Sequence, residues 1–402
     1  MAETAPRGER LNIGLFGRRN VGKSSLLNAL CGQEISIVSD TAGTTTDAVA
    51  KIYELIPVGS VTFFDTAGID DIGEVGEKRV RATRRVLYKS DIAIIVTDEN
   101  GVGAFERDLI KTARELEIPF IVVFNKSDDA GVEDGGQTEK DGYPALRVSA
   151  KNGKNVEALK TALKSLVPDH VLNAPPLLRD LIGKGDTVVC VCPVDSSAPK
   201  GRLILPQVQA IRDILDAEAF AYVIQNDQDY LKIRENLKTA PDLVVTDSQL
   251  VHKVRAVVPQ NVRLTTFSTL FARYKGDLAK LYDGAAKIKA LKDGDTVLIA
   301  EACSHHVQDD DIARVKLPAA LKKATGKNIS FEWAAGSDFP PDLERFALVV
   351  HCGGCMLSRL ENLRRLNECV RRGVPVTNFG IAISAAQGIL DRVVEPFGLE
   401  KK

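Results

Sequence analysis

The apolar positions of this chain come in short blocks. LNIGLFG (11–17) is a nearly unbroken apolar run ending in a glycine. VTFFDTAG (61–68), DIAIIVTD (91–98), PFIVVFNKSD (119–128) and ALRVSAK (145–151) repeat the form, each passing from apolar residues into a polar loop. Such runs predict parallel strands buried on both faces, and the helical periodicity between them predicts helices covering those faces. The last of these helices ends near Val167, and the proline-bearing PDHVLNAPPLL closes a first domain spanning 1–168.

The alternation then continues through DTVVCVCPV, ILPQVQAIRDILDA, AFAYVIQ, YLKIRENLK, DLVVTD and VRLTTFS. A long helical pattern from about Thr269 to Leu291 leads to a second start, DGDTVLIAEACSHH. The tetrapeptide GDTV occurs at 185–188 and again at 294–297, each time opening an apolar strand that runs toward a cysteine. The expected fold class is α/β: a first nucleotide-binding-type domain followed by two smaller α/β domains with mainly parallel sheets, at 169–268 and 269–402.

Composition narrows the class. A chain of 402 residues exceeds one ordinary core, and 44% apolar with 27% charged residues is a globular profile. No apolar run is long enough to span a bilayer and MAETAPRGER lacks the pattern of a signal peptide, so a cytoplasmic protein without a membrane partner is expected. A net charge of −1 argues against a nucleic-acid partner. The basic run EKRVRATRRVLYK (77–89) reads as a solvated helix face. Seven cysteines in a reducing compartment are not disulfide staples. Cys303, Cys352 and Cys355 lie beside His305, His306 and His351, whereas Cys31, Cys190, Cys192 and Cys369 fall on element patterns and read as buried small hydrophobes.

The first domain carries five ordered motifs. GRRNVGKSS (17–25) fits GxxxxGK[ST], with Gly17, Gly22, Lys23 and Ser24 in register, after a strand and before a helix. The backbone from Gly17 through Asn20, Val21 and Gly22 would cradle phosphates with the helix N-terminus behind them. Lys23 would neutralise the β- and γ-phosphates, while Ser24 would ligate Mg2+ next to Ser25. DTAG places Asp65 for the metal shell and the Gly68 amide for the γ-phosphate. In NKSD, Asp128 can accept from guanine N1–H and the exocyclic amine, donors adenine lacks there, with Asn125 and Lys126 supporting the base. Ser149, Ala150 and Lys151 add a backbone contact to the guanine oxygen. GTTTD (43–47) supplies Thr44 and Thr45 to a segment that closes on Mg2+ and the γ-phosphate. Together these predict GTP as ligand.

These motifs resemble the translation-factor-like GTPases of the Era and TrmE branch. The resemblance implies K+ bound by Asn20 and the loop around Thr44 and Thr45, a fixed charge acting in hydrolysis. Ile69 follows DTAG where Ras-like proteins carry a water-orienting glutamine, so slow GTP hydrolysis is expected.

At the other end, Cys303 and His305 follow the strand TVLIAEA, and His351 and Cys352 end the strand FALVV, with Cys355 opening the next helix. In a parallel sheet the C-terminal ends of strands share one rim. If those strands are neighbours, CxHx(45)HCxxC converges on one point. A redox pair, a tetrahedral zinc site and a 4Fe-4S cluster with three thiolates all remain open on chemistry alone.

A GTPase of this branch followed by that pattern resembles the FeFe-hydrogenase maturation GTPases, along the whole chain including PKGRLILPQVQAIRDILD (199–216). The resemblance implies a GTPase, a dimerisation and a cluster-binding domain, and a 4Fe-4S cluster on Cys303, Cys352 and Cys355, with His305 and His351 as further candidate ligands. It implies a scaffold and carrier that takes up a diiron subcluster precursor transiently. Its partners would be two radical-SAM maturases, the apo-hydrogenase and a second copy of itself. The competing expectations are a ribosome- or RNA-associated GTPase with structural zinc and a redox-regulated GTPase.

Overall fold

The computed structural model describes residues 7–32, 49–56, 59–66, 77–127, 137–140, 142–168, 175–194, 203–302, 312–336 and 339–399. The chain divides into two compact units, Met1–Ala174 and Pro175–Lys402.

The first unit runs β1 (Leu11–Phe16), α1 (Lys23–Cys31), β2 (Val49–Leu55), β3 (Gly59–Asp65), α2 (Glu77–Lys89), β4 (Ile92–Thr97), α3 (Ala104–Glu115), β5 (Phe120–Phe124), β6 (Gln137–Lys140), β7 (Tyr143–Arg147) and α4 (Val156–Ser165). Its seven strands lie in the order β2-β3-β1-β4-β5-β7-β6. The five central strands are parallel, as the apolar runs predict, and the edge strands β2 and β6 are antiparallel. Sequence pattern alone missed both edges, because a strand such as VAKIYEL mixes charge with apolar residues. Alternation along the central strands divides the core. Ile13, Leu15, Ile92, Ile94 and Val96 pack with α1 and α4, while Phe16, Ala93 and Ile95 pack with α2 and α3.

The second unit holds two parallel sheets. The first comprises β8 (Thr187–Val191), α5 (Leu205–Asp216), β9 (Phe220–Ile224), α6 (Asp227–Asn236), β10 (Leu243–Thr246), α7 (Val251–Val257), β11 (Arg263–Thr266) and α8 (Phe267–Lys275), with strand order β11-β10-β8-β9. Cys190 and Cys192 point to one face of it, and Val189 and Val191 to the other. The second comprises α9 (Leu278–Ala286), β12 (Thr296–Glu301), α10 (Leu317–Thr325), β13 (Ser330–Ala335), β14 (Leu348–His351), α11 (Arg359–Arg371), β15 (Val376–Asn378), α12 (Phe379–Ala386) and α13 (Leu390–Val394), ordered β13-β12-β14-β15.

One expectation is corrected here. The helical stretch from Thr269 to Leu291 is two helices and a short 3-10 turn, because Gly276 ends α8 and the Asp277 carboxylate caps α9 by accepting the Lys280 N–H at 3.1 Å. The apolar spacing runs through the break, so periodicity could not reveal it.

Candidate functional site

The phosphate loop joins β1 to α1. Gly17 has φ +146°, and a Cβ there would lie 2.1 Å from the Val96 carbonyl oxygen, so the turn accepts only glycine. Val21 is buried and Gly22 caps α1. The Lys23 ammonium folds back on the loop, donating to the carbonyls of Gly17 at 2.7 Å and Arg18 at 3.0 Å. Ser24 Oγ donates to Asp65 Oδ2 at 2.8 Å. The two proposed Mg2+ ligands, from the start of α1 and the end of β3, thus face one another.

Asn125 does more than face a base. Its Nδ2 donates to the Val21 carbonyl at 2.9 Å, and its Oδ1 accepts the Ala150 N–H at 3.0 Å, so it ties the phosphate loop to the 149–151 loop. Ser149 Oγ accepts the Asn152 N–H and shapes that loop, with Lys151 exposed. Asn20 and Lys126 both sit at left-handed φ, +65° and +62°. The exposed Ser25 follows Ser24 on α1, while Thr44, Thr45, Gly68, Ile69 and Asp128 lie outside the described residues.

A contact absent from the motif reading is Arg18. Its Nε donates to Glu106 Oε1 at 3.0 Å and its Nη2 to the Gly101 carbonyl at 2.8 Å, while the fully buried Glu106 also accepts the Gly103 N–H. The second residue of the phosphate loop is thereby fastened to the start of α3. Loop sequence patterns treat that position as variable, so nothing marked it.

In the second unit β12 and β14 are parallel neighbours, with Ala300 opposite His351. The Ala302 N–H donates to Cys352 Sγ at 3.2 Å, and the Cys352 N–H donates to the Ala300 carbonyl at 2.8 Å. The backbone immediately before Cys303 therefore lies against Cys352. Cys303, His305 and His306 fall outside the described residues, and among those described no three metal-ligating side chains meet. Cys352 and Cys355 are free thiols, half-buried. Burial pushes both thiols up, opposed for Cys352 first by the Ala302 N–H, while the Lys275 charge opposes it for Cys355.

Gly354 turns the chain between the cysteines at φ +65°, and a Cβ there would lie 2.7 Å from the Asn362 side-chain oxygen. Asn362 and Arg359 reach from α11 to the last carbonyls of α8: Asn362 Nδ2 donates to Lys275 at 2.9 Å and Arg359 to Arg273 at 3.0 Å and to Tyr274. These are the orphan carbonyls of a helix end, satisfied by side chains.

His351 is buried and both its ring nitrogens are engaged. Arg365 Nε donates to Nε2 at 2.6 Å, which leaves Nδ1 as the protonated nitrogen donating to the Cys352 carbonyl at 2.6 Å. Burial first, and the adjacent guanidinium second, push its pKa down to about 3, so the ring is neutral. In this arrangement both nitrogens are committed to these hydrogen bonds rather than to a cysteine sulfur. Arg365 itself is 1% exposed, donates to the Gly336 carbonyl and stacks over Phe339. Sequence reading passed over it, although Asn362, Arg365 and Cys369 share the buried stripe of α11, where a cation is out of place.

Comparison with known proteins divides along the same units. Residues 12–126 match the 50S ribosome-binding GTPase family. The tRNA modification GTPase MnmE of Chromobacterium violaceum is 37% identical over 162 residues, covering 40% of this chain and 35% of that protein. GTPase Der of Nautilia profundicola is 37% identical over 179 residues, covering 41% and 38% respectively. The solved G domain of the T. maritima FeoB iron transporter aligns at 24% identity over 40% of this chain and 99% of its own, with TM-score 0.31. The chain thus spans little more than a third of the length of these curated relatives. With its phosphate loop, mainly parallel sheet and Ser24–Asp65 pair, the N-terminal unit is a GTPase domain.

The rest of the chain is more particular. Residues 177–276 match the hydrogen maturase F dimerization domain and residues 279–396 the hydrogen maturase F tetramerization domain. The chain belongs to the hydrogen maturase F family.

Proposed function

We propose that this protein is a GTPase and iron-sulfur scaffold that assembles and delivers the diiron subcluster of FeFe-hydrogenase. Segments 1–168, 169–268 and 269–402 would be its GTP-binding, dimerisation and cluster-binding parts. The observation that carries the reading is the 3.2 Å hydrogen bond from the Ala302 N–H to Cys352 Sγ, which supports convergence of Cys303 with the CGGC turn.

In the GTPase domain Lys23 exchanges the carbonyls of Gly17 and Arg18 for phosphate oxygens. Ser24 and Asp65 are fitted to hold Mg2+, their oxygens being hard donors 2.8 Å apart on one side of the loop. Mg2+ there would neutralise phosphate charge. Asp128 selects guanine and Thr44 and Thr45 close over the phosphates. Asn20, at the exposed bend of the loop, would contribute to a K+ site, and with Ile69 in place of glutamine hydrolysis is slow and K+-stimulated.

In the second unit the donor set fits a 4Fe-4S cluster. Two soft sulfurs sit on one turn at a strand end, one of them already receiving a backbone N–H, as cluster thiolates do. Cys303, Cys352 and Cys355 would hold it, and when bound it supplies an iron-sulfur docking point for the incoming diiron cargo. His305 stays a candidate ligand, and His351 fixes the backbone of Cys352. The partners are the two radical-SAM maturases and the apo-hydrogenase in the cytoplasm. Nucleotide state biases partner binding, and it does not drive bond formation in the cargo.

Self-association uses β9, which among the described residues is an edge strand of the first parallel sheet in the second unit. On β9, Phe220 (61% exposed), Tyr222 and Val223 are exposed, and Leu215 and Val208 of the adjoining α5 extend the apolar surface. Long apolar edges of this kind pair with another chain.

The test is anaerobic purification with iron and sulfide reconstitution, followed by EPR of the reduced protein and metal analysis. A 4Fe-4S signal lost in Cys303→Ala, Cys352→Ala and Cys355→Ala supports the scaffold. Stoichiometric zinc without that signal overturns it.

A further inference from the structure

The Arg18 side chain bonds to three successive pieces of the chain beside the phosphate loop. Its Nη2 donates to Oγ1 of Thr97, the last residue of β4, at 3.1 Å and to the Gly101 carbonyl at 2.8 Å. Its Nε donates to Glu106 Oε1 on α3 at 3.0 Å. None of these bonds draws on a backbone N–H of the loop, and the Arg18 carbonyl meanwhile accepts the Lys23 ammonium at 3.0 Å. The receiving frame is itself fastened. Thr97 Oγ1 donates to the Gly101 carbonyl at 2.6 Å, and the fully buried Glu106 accepts the Gly103 N–H at 2.9 Å, closing the first turn of α3. A surface ion pair usually contributes little, because two loose side chains must be ordered to form it. Here the carboxylate is already held by its own helix, and the planar guanidinium meets acceptors through two of its nitrogens. The Arg18 side chain remains 37% exposed, so the contact serves its own burial little and fixes the loop backbone from which it springs.

We infer that Arg18 is a positioning residue for nucleotide binding: through Glu106, Thr97 and Gly101 it holds the first half of the phosphate loop in the shape that receives phosphates, and so sets nucleotide affinity. The inference rests on the GTPase domain alone and not on the cluster reading. Loop amides cradle a phosphate when their backbone is already turned toward it, and a loop ordered beforehand spares the ligand that cost. Because the guanidinium is engaged with β4 and α3, its contribution falls on binding and leaves the chemical step alone.

The experiment uses the full chain, with three readouts: titration by a fluorescent GDP analogue, thermal melting, and single-turnover hydrolysis at saturating GTP. Arg18→Met alone takes the guanidinium from a buried carboxylate, so it should lower stability as well as affinity. Arg18→Met combined with Glu106→Gln removes the pin without stranding that charge, and the glutamine oxygen can still accept the Gly103 N–H. This double variant should melt like the parent yet bind GDP about tenfold more weakly, the worth of ordering roughly one backbone residue. Its hydrolysis rate at saturation should match the parent's. Arg18→Lys keeps the charge beside Glu106 but cannot reach all three acceptors at once, so its affinity should fall between the two. Parent-like affinity in the double variant overturns the inference and makes the contact structural. A lower saturated rate with unchanged affinity also overturns it, because Arg18 would then act in the reaction itself. If the double variant does not fold, Arg18→Lys decides alone, and parent-like GDP affinity there overturns the inference.

Discussion

Ser24, the first hydroxyl of α1, donates to Asp65 at the end of β3 at 2.8 Å, across 41 residues of chain. The pair exists because β1 and β3 are adjacent parallel strands, with Leu15 opposite Asp65. Ser24→Ala should therefore weaken Mg2+ binding by at least roughly 10–100-fold, the range for losing a group that only supports a ligand, with nucleotide-free folding unchanged. Mg2+ titration of GTP hydrolysis measures it, and an unaltered Mg2+ dependence would remove Ser24 from the metal shell.

Asn125→Ala should strand both the Val21 carbonyl and the Ala150 N–H. Each unsatisfied group costs about 1–3 kcal/mol, so thermal stability of the GTPase domain and GDP affinity should fall together, the latter by roughly tenfold for each 1.4 kcal/mol expressed in binding. Calorimetry with and without GDP separates the two. A loss of affinity with no loss of stability would mean that the side chain serves the base alone.

The two glycines between the cysteines are not equivalent. Gly354 is left-handed with Asn362 against it, whereas a Cβ on Gly353 meets nothing within 4 Å. Gly354→Ala should cost at least about 1 kcal/mol through strain and displacement of Asn362, and Gly353→Ala should be nearly neutral. Chemical denaturation of both variants checks this, and equal effects would contradict the turn geometry.

Cys31, Cys190, Cys192 and Cys369 are all buried, and burial raises each thiol, Cys31 to about 11 and Cys369 to about 12. Because the nucleophile is the thiolate, a raised pKa means these groups stay protonated through pH 8 and gain reactivity only as pH climbs toward those values. Iodoacetamide at pH 8 should leave all four unlabelled in the native chain and label them in denaturant. Native labelling of Cys192 would show that its surroundings open.

Phe220→Glu with Val223→Lys places charge on the β9 edge, where both side chains are exposed in the single chain. Charge is a natural block to edge pairing, so sedimentation should report a smaller assembly with helix content unchanged. An unaltered assembly would assign self-association to another surface.

Local pattern accounts for much of this protein. The phosphate loop, DTAG, NKSD and SAK are contiguous strings whose chemistry is set by residue type and spacing, and the central strands are apolar runs because both their faces are covered. Those features needed no coordinates. Whether β12 and β14 are neighbours was left as a condition by the sequence, and the parallel register of Ala300 with His351 meets it.

What the chain could not disclose locally were contacts between residues far apart in sequence. Arg18 with Glu106, Asn125 with Val21 and Ala150, and Lys275 with Leu357 are separated by 88, 104, 25 and 82 positions. The break at Gly276 hides inside a continuous apolar period. Arg365 reads as one more surface arginine on a charged helix until α11 packs and turns it inward to His351. Sequence by itself determined the chemistry available at each end of the chain, since motif and strand chemistry are local. Only tertiary structure decided which charges lie buried beside the cysteines, since the burial of a charge depends on what packs over it.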